Sequence, residues 1–447
     1  MVFRLPTSAA ITRIRRMSTT DDVKYLLSLG AIRDRAKIVW AAAQAGRLTN
    51  FDLHEDKLDD VANFVISVIE RDYGPDKFDT IPPHGRWQHF EVGGVPRVAD
   101  LLQSWKDGGC TDATELTRRL VDLFFVSVLL DAGAGDTWRY VEPAAGGTYE
   151  RSEGIAVASL YMFRELAFTT SKEPSVNGKG LEGLTAEALA KGFQLSEGNQ
   201  MLGVESRAAL LRSLGRFLLA HPEVFGADGR PGNIVDYMIK SAHDAAELDI
   251  LVLWDVLQTV LIPSWPKDRT TIAGVPIGDA WPLSTLQKTT DPGSSEAAGI
   301  QPFHKLTQWL TYSLTVPFQR LLNKTWINAG SLTGLPEYRN GGLFVDLGAL
   351  TLKPHVLEKG VKASGGQLPL FDAGDDVIVE WRAMTLSLLD VVYEKVVQKM
   401  EAGGKGRLSM AQVLEAGTWK AGREMAAKNR PESKCSPILI RSDGTLF

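Results

Sequence analysis

The chain has 447 residues, of which 44% are hydrophobic and 23% are charged, a composition typical of globular proteins with a large core. Its net charge is -5 and its pI is near 5.9, and no basic stripe recurs along it, so we expect no nucleic acid partner. No apolar segment reaches the ~20 residues that span a bilayer, so we expect no membrane partner either.

Cysteine and histidine spacing argues against a metal site. Cys110 and Cys435 are far apart and belong to no Cys-x-x-Cys motif, which excludes a disulfide framework and favours a reducing compartment. The seven histidines never fall into a His-x-x-x-His or His-Glu-x-x-His spacing. The sequence therefore predicts no metal and no cofactor.

The first twenty residues, "MVFRLPTSAAITRIRRMSTT", contain four arginines, several Ser and Thr, and no acid. This composition is typical of a mitochondrial presequence, but it also fits a disordered leader ahead of a second start at Met17. We predict a flexible leader over residues 1–20 and a cytoplasmic protein, with mitochondrial import as the alternative.

Helical periodicity dominates the rest of the chain, and strand patterns are few and short. We predict a mainly α fold with few short strands, in which residues 21–447 form a single domain of one or two lobes. Strands are predicted at 270–278, as a hairpin, and at 377–381. Helices are predicted over 21–45, 57–72, 97–106, 112–130, 153–168, 185–192, 205–220, 232–260, 303–322 and 383–400.

The stretch "LLDAGAGDTW", residues 129–138, looks like a nucleotide-binding or methyl-donor loop. Such a loop follows a short buried strand, whereas the apolar run here is long and begins with a capping box at Asp112, which indicates a helix. The third glycine is also missing, because Thr137 stands near its place. We interpret Gly133 and Gly135 as a helix stop and turn, and a functional loop of another kind is the alternative.

The segment "PFHKLTQWLTYSL", residues 302–314, carries polar and aromatic side chains at helical spacing. Lys305, Gln308, Trp309 and Tyr312 fall at i, i+3, i+4 and i+7, with Pro302 suited to the first helical position. A purely structural helix more often places Leu or Ile on the face that it buries. This face is therefore a candidate binding surface.

The segment "SLTGLPEYRNGGLFVDLGAL", residues 331–350, places Glu337, Tyr338 and Arg339 between a proline and two glycines. A carboxylate in such a loop or helix start can be held rigidly and partly desolvated. Paired with an ammonium, it could orient a hydrolytic water or stabilise positive charge on a substrate. The alternative is a surface ion pair between Glu337 and Arg339.

Several motifs are similar to those of the uracil catabolism protein 4 family, long labelled as of unknown function. They are "DDVKYLLSLGAIRDRA", "GRWQHF", "DAGAGDTWRY", "RSEGIAVASL" and "GLPEYRNGGLFVDLGAL". The resemblance extends from about Asp21 to the C-terminus. It implies a step in which a ribosyl-urea type product of uracil breakdown is cleaved.

A more distant resemblance is to the queuosine-nucleotide N-glycosylase family, through "FHKLTQ", "LPEYR" and "VEWRAMTLSLLD". It implies a helical fold of the helix-hairpin-helix DNA-glycosylase type. By this resemblance Lys305 and Glu337 are the catalytic candidates, and Tyr338, Arg339 and Arg382 occupy matching positions. Glu337 replaces an aspartate of that family, so its carboxylate extends one methylene further and its geometry toward the sugar differs.

The motifs specific to the first family supply further candidates for substrate binding. Arg151 and Ser152 precede a predicted helix, where a phosphate could rest on the N-terminus; the alternative is that Ser152 is only an N-cap. The remaining candidates are pocket residues from the other two motifs: Trp87, His89, Asp131, Asp136 and Trp138.

Together the two resemblances imply hydrolysis of the N-glycosidic bond of a ring-opened pyrimidine nucleotide such as a ribosyl-urea phosphate. The small-molecule substrate would be held without a metal. Two alternatives remain open at this stage. One is a non-catalytic substrate-binding or scaffolding protein of the same pathway, and the other is methyl transfer at "DAGAGD".

Overall fold

The computed structural model describes residues 19–131, 137–143, 146–264, 269–291 and 294–441. The mainly α class is confirmed there. The helices are α1 Thr19–Leu26, α2 Leu29–Gln44, α3 Leu58–Tyr73, α4 Arg86–Phe90, α5 Arg97–Asp107, α6 Ala113–Leu129, α7 Arg151–Arg164, α8 Gly178–Glu182, α9 Ala186–Gly192, α10 Val204–Ala220, α11 Pro222–Phe225, α12 Ile234–Ser241, α13 Ile250–Leu261, α14 Ser284–Thr289, α15 Lys305–Leu322, α16 Tyr338–Asp346, α17 Pro354–Ser364, α18 Asp376–Ala402, α19 Met410–Val413 and α20 Trp419–Asn429.

The strands of the described residues form two-stranded pairs and no larger sheet. Four pairs are antiparallel (β1–β10, β2–β3, β5–β6 and β7–β8), and two are parallel (β4–β9 and β11–β12). Their bounds are β1 Phe51–Leu53, β2 Arg139–Val141, β3 Thr148–Glu150, β4 Glu247–Asp249, β5 Thr271–Ile272, β6 Val275–Pro276, β7 Ala280–Pro282, β8 Ile300–Pro302, β9 Thr325–Ile327, β10 Leu350–Leu352, β11 Leu370–Asp372 and β12 Leu439–Arg441.

One large hydrophobic core extends from α2 to the segment before β12. Helix α15 lies at its centre, where it packs against α6, and its residues from Leu306 to Phe318 are all buried. A helix that is buried on every side belongs in the interior of a large domain. Helix α18 packs against α2 and α3, while α16 packs against α20. The first turns of α15 and α16 are therefore fixed by packing against neighbouring helices of the core.

Glycines bring α16, α18 and α20 close together. A Cβ atom added to Gly422 of α20 would collide with the backbone carbonyl of Arg339, and one added to Gly341 of α16 would lie 2.8 Å from the hydroxyl of Thr385. Such separations leave no room for a larger side chain. This close packing fixes the first turn of α16 against its neighbours.

Most predicted helices are confirmed, although several differ in their bounds, and three of them differ in a way that the structure explains. The helix predicted over 21–45 is divided at Ser28, whose hydroxyl caps α2 by accepting from Ala31 N. The helix predicted over 232–260 is divided by β4. The helix predicted over 303–322 begins at Lys305, because Pro302 belongs to β8 and His304 has a left-handed backbone (φ 46°).

The strand predictions have opposite outcomes. The hairpin over 270–278 is confirmed as β5 and β6, whereas the strand predicted at 377–381 is wrong, since those residues lie in the first two turns of α18 and are all buried. An apolar run of that length does not distinguish a strand from a buried helix. Asp112 is confirmed as the N-cap of α6. Residues 1–18 of the predicted leader lie outside the described residues, as do Gly133 and Gly135.

Among the helices that the structure describes, none combines the length and apolar character needed to cross a membrane.

Candidate functional site

A cavity of about 630 Å³ lies among the starts of α7, α15, α16 and α20, next to α4. The C-terminal segment, defined as residues 435–441 and including β12, forms one of its walls. A cavity of this size is typical of small-molecule sites. Helix N-termini point their backbone N–H groups outward, so several of them around one cavity favour an anionic ligand there.

Glu337 is the N-cap of α16 and lines the cavity. Its carboxylate accepts hydrogen bonds from the backbone N–H groups of Arg339 (2.7 Å) and Asn340 (2.6 Å). Burial raises the pKa of Glu337 to about 7, although the Asn340 N–H and the positive charge of Lys305 favour its ionised form. Glu337 is therefore rigidly held and changes its charge near neutral pH.

Lys305 begins α15, and its side chain lines the same cavity. Its backbone N–H donates to Asp279 Oδ2 (3.0 Å), but its ammonium has no hydrogen bond or ion pair with any residue that the structure describes. Burial lowers the pKa of Lys305, and the nearby carboxylates of Asp131 and Glu337 partly oppose that effect. The ammonium is therefore available to a ligand.

Asp131 follows α6 and supplies a second carboxylate to the cavity lining. The buried guanidinium of Arg86 donates to it (Nη1 to Oδ2, 2.6 Å) and also to the hydroxyl and carbonyl oxygens of Ser127. Burial opposes the ionisation of Asp131, but Arg86 and weaker effects, including those of Lys305 and Ser152, together outweigh burial and hold the pKa of Asp131 below its usual value. Asp131 is therefore ionised at neutral pH, unlike Glu337.

Four rings form an aromatic wall of the cavity, defined as His84, His89, Trp309 and Trp419. The His84 and His89 rings lie 4.6 Å and 5.3 Å from Trp309, and His89 lies 5.5 Å from Trp419. Burial and the charge of Arg86 lower the pKa of His89 to about 4. Its Nε2 is buried without a hydrogen-bond partner among the described residues. His89 is thus neutral near pH 7.

Arginines from different elements also line the cavity. Arg339 stacks on Tyr338 (4.9 Å) and donates to the carbonyl of Lys434 (2.9 Å), which fastens the C-terminal segment. Arg423 pairs with Glu153 and lies 4.8 Å above Trp419. Arg151 and Arg441 complete the basic part of the lining. This concentration of guanidinium groups suits a phosphate or another anion.

Two side chains of α15 support the turn before Glu337. The Gln308 carboxamide bonds the backbone N–H and hydroxyl of Thr333 (2.9 and 2.9 Å), and the Tyr312 hydroxyl donates to the Thr333 carbonyl (2.9 Å). Both side chains are buried and neither lines the cavity. Their contacts position the segment that ends at Glu337.

The structure gathers nine of the residues predicted from the sequence around this cavity: His89, Asp131, Arg151, Ser152, Lys305, Trp309, Glu337, Tyr338 and Arg339. Ser152, however, is not an N-cap, because α7 begins at Arg151 and its N-cap is Glu150. Asp136 lies outside the described residues.

Five predicted substrate-binding residues lie outside the cavity lining: Trp87, Trp138, Gln308, Tyr312 and Arg382. The indole N–H of Trp87 donates to Glu91, and that of Trp138 donates to the carbonyl of Phe193. Arg382 forms a buried bidentate pair with Asp279 (2.8 and 2.8 Å). Buried residues next to a site often hold its lining residues in position, as Gln308 and Tyr312 do for the segment that ends at Glu337.

Several lining residues were not predicted from the sequence. His84 stands only two residues before Arg86 and the "RWQHF" segment, so an extended motif could have included it. Trp419 and Arg423 are spaced i, i+4 on α20, which places them on one helix face. The C-terminal segment carries no motif that marks it.

Within the described part of the chain, no group of three or more His, Cys, Asp or Glu side chains is arranged to hold a metal ion.

These observations define a mainly α-helical protein with a small-molecule-sized cavity that contains a titrating carboxylate, several guanidinium groups and an ammonium without a partner among the described residues. Residues 25–447 match the family described as "Protein of unknown function (DUF1688)", and the chain belongs to that family.

Two curated relatives cover nearly the whole chain. The chain is 47% identical to Protein urg3 of Schizosaccharomyces pombe over 431 residues, and 42% identical to Uracil catabolism protein 4 of Lachancea kluyveri over 446 residues. Each alignment covers 96% of this chain and all of the relative. The resemblance seen in the sequence motifs to the uracil catabolism protein 4 family is thereby confirmed.

Proposed function

We propose that this protein acts in uracil breakdown by hydrolysing the N-glycosidic bond of a ring-opened pyrimidine nucleotide such as a ribosyl-urea phosphate. The pathway is supported by the name of a relative that aligns along its whole length, Uracil catabolism protein 4. The reaction is supported by the cavity, because breaking an N-ribosidic bond generates positive charge on the sugar that a carboxylate stabilises.

The observation that carries the proposal is that Glu337 and Lys305 line one cavity. Glu337 is fixed by two backbone N–H groups and has a pKa of about 7, which suits a group that takes a proton from water at neutral pH. Lys305 has no partner within the described protein, so its charge is free to hold an oxygen of the ligand.

The proposed reaction converts a ribosyl-urea phosphate and one water into ribose phosphate and urea. The water oxygen bonds to the anomeric carbon and gives a proton to Glu337, while the carbon–nitrogen bond breaks and its electron pair stays on the urea nitrogen. That nitrogen receives one proton. The urea and the new hydroxyl on the anomeric carbon are therefore both uncharged. Asp131, already ionised beside Arg86, adds negative charge near the developing oxocarbenium ion.

The basic part of the cavity supports a phosphorylated substrate. Arg339 and Arg151 line it together with Ser152, at the first turns of α16 and α7. Backbone N–H groups of a helix N-terminus and nearby guanidinium groups bind phosphate jointly. An unphosphorylated ribosyl-urea would lack those contacts, so we expect it to bind more weakly.

The test uses purified protein, ribosyl-urea 5-phosphate and detection of both urea and ribose phosphate. Glu337→Gln should lower kcat by about 10²- to 10⁴-fold, because it removes the proton acceptor and the negative charge together. Asp112→Asn is the matched control, because Asp112 is also an N-cap carboxylate that accepts from two backbone N–H groups, but on an exposed surface. It should leave kcat unchanged.

Absence of urea and ribose phosphate with the wild-type protein would overturn the proposal. If the substrate raised the Tm of the protein without being hydrolysed, the hypothesis of a non-catalytic binding protein would replace the proposed hydrolysis. If Glu337→Gln retained full activity, hydrolysis would stand but another group would have to activate water.

A further inference from the structure

One side-chain pair at the aromatic wall has no role in the reaction described so far. His84 Nδ1 lies 2.6 Å from Glu415 Oε2, and both side chains are buried, with 5% and 7% of their surface exposed. His84 lines the cavity, and its backbone N–H donates to the carbonyl of Ala411 (2.9 Å). Its Nε2, on the other side of the ring, makes no hydrogen bond to any described residue.

The ring of His84 is held on several sides. It packs against Trp309 (4.6 Å) and Trp419 (6.1 Å), and edge-on to His89 (6.5 Å). The hydrogen bond to Glu415 fixes which nitrogen faces the protein, which leaves Nε2 as the polar atom for a ligand. His84 is also close enough to Glu337 to affect its pKa. The imidazole and the carboxylate that activates water thus share one reaction space.

Glu415 owes its position to an irregular part of the backbone. Residues Leu414–Thr418 form a π-helical turn between α19 and α20, and such turns are frequent at functional sites. Gly417 in this turn packs tightly, since an added Cβ would lie 2.7 Å from Val65 of α3. The turn directs Glu415 toward His84, while α20 continues to Trp419 and Arg423 in the cavity lining.

From this geometry we infer that His84 is the general acid that protonates the departing urea nitrogen, and that Glu415 is its positioning residue. The inference rests on the proposed function. When the carbon–nitrogen bond breaks, Nε2 of protonated His84 gives its proton to the nitrogen that receives the electron pair. Glu337 gains the proton of the water, and the two groups then exchange these protons with solvent, so the cycle closes.

The neighbouring histidine is a poorer proton donor. Burial and the charge of Arg86 lower the pKa of His89 to about 4, so it carries no dissociable imidazolium proton at neutral pH. At His84, by contrast, the Glu415 carboxylate lies 2.6 Å from Nδ1 and orients a ring that lines the cavity. The charged and titratable groups near His84 include Glu415, Glu337 and His89, and two of these three are carboxyl groups.

The test compares two substrates that share the ribosyl 5-phosphate and differ in the leaving group, urea or 4-nitrophenolate. A nitrophenolate leaves without being protonated, so only the urea substrate needs a general acid. His84→Asn keeps a donor toward Glu415 and removes Nε2. It should lower kcat on the urea substrate by about 10²- to 10⁴-fold and on the nitrophenyl substrate by less than about tenfold.

Glu415→Gln should show the same split between substrates with a smaller loss on urea, and Glu415→Asp should restore part of the activity. His221→Asn is the control, because His221 and Glu223 form an exposed pair of the same kind, with Nδ1 and Oε1 2.9 Å apart. It should affect neither substrate. Glu337→Gln should lower the rates on both substrates, because both need the activated water.

Equal losses on the two substrates in His84→Asn would overturn the role of His84 while the proposed hydrolysis stands. If wild-type protein cleaved neither substrate, the proposed function and this inference would fall together. If circular dichroism shows that His84→Asn is unfolded, the test rests on Glu415→Gln. Equal losses of kcat on the urea and nitrophenyl substrates in that variant would overturn the inference.

Discussion

Two opposite-charge pairs lie close together in this protein and differ in how their charges are satisfied. Arg382 and Asp279, behind the cavity, are both 3% exposed and form two hydrogen bonds of 2.8 Å, with further bonds to Asp279 from the backbone of Lys305 and the indole of Trp281. Glu337 and Lys305, inside the cavity, line the same space, but no hydrogen bond or ion pair joins their side chains. The first pair is saturated and the second is not.

This difference separates structural charge from charge that a ligand can use. A buried ion pair with every donor and acceptor engaged contributes to a unique arrangement but has nothing left to bind. The pKa of Asp279 is held well below its usual range because Arg382, the Lys305 N–H and the Trp281 indole together outweigh burial, whereas the pKa of Glu337 is raised because burial outweighs the Asn340 N–H and Lys305. The comparison predicts that variants of the two pairs fail in different ways.

The largest effect on stability should come from Asp279→Asn. It leaves the buried guanidinium of Arg382 without its carboxylate, and breaking such a pair costs about 3–5 kcal/mol of unfolding free energy. Urea unfolding measures this loss. As a control, Asp236→Asn removes a half-exposed partner of Arg118 and should cost no more than about 1 kcal/mol. Equal losses in the two variants would contradict the comparison.

A smaller effect should appear as a pH dependence of stability. Because Glu337 holds its proton more tightly when folded (pKa about 7) than its ordinary value of 4.5, the unfolding free energy falls as the pH rises from about 4.5 to about 7. Glu337→Gln removes this dependence. Wild type should therefore lose roughly 2 kcal/mol relative to the variant between pH 5 and pH 8, after allowance for partial exposure to the cavity.

Urea unfolding of both proteins across that pH range measures the difference. Wild type that gained stability relative to Glu337→Gln on raising the pH would show that the Glu337 carboxylate is satisfied, as Asp279 is.

The smallest effect should come from Lys305→Met. It removes an ammonium that has no partner in the part of the chain that the structure describes and whose pKa is lowered by burial, so the variant should be equally stable or more stable by up to about 1 kcal/mol at neutral pH. Substrate binding should weaken at the same time, seen as a raised KM. A stability loss of several kcal/mol would mean that the Lys305 charge is structural.

The fold class and most helices followed from the sequence because amphipathic periodicity is a local signal. Helices α6 and α10 have capped or strongly periodic ends and were predicted within about two residues. The strand predicted at 377–381 failed because α18 is buried around its whole circumference there, so its pattern has no polar face to reveal the period. Short strands such as β4 exist only through pairing with a distant strand, which no local pattern shows.

The site was predictable only where a motif was contiguous. Glu337, Tyr338 and Arg339 adjoin one another in the sequence, and Lys305 begins a recognisable helix. The prediction did not distinguish side chains that line the cavity from those that support it, since Lys305 and Gln308 fall on the same helix face. The lining also joins His84 to residues more than 330 positions away on α20, a contact set by tertiary packing alone.

The C-terminal segment, residues 435–441, has a consequence for folding during synthesis because it forms one wall of the cavity. During translation, β12 emerges from the ribosome after every other element described. Only then can β12 pair with β11, its parallel neighbour, and complete the cavity wall. A nascent chain can bury most of its core earlier, but it cannot enclose a ligand. Binding competence should therefore arise in a single late step, after synthesis of the whole described chain.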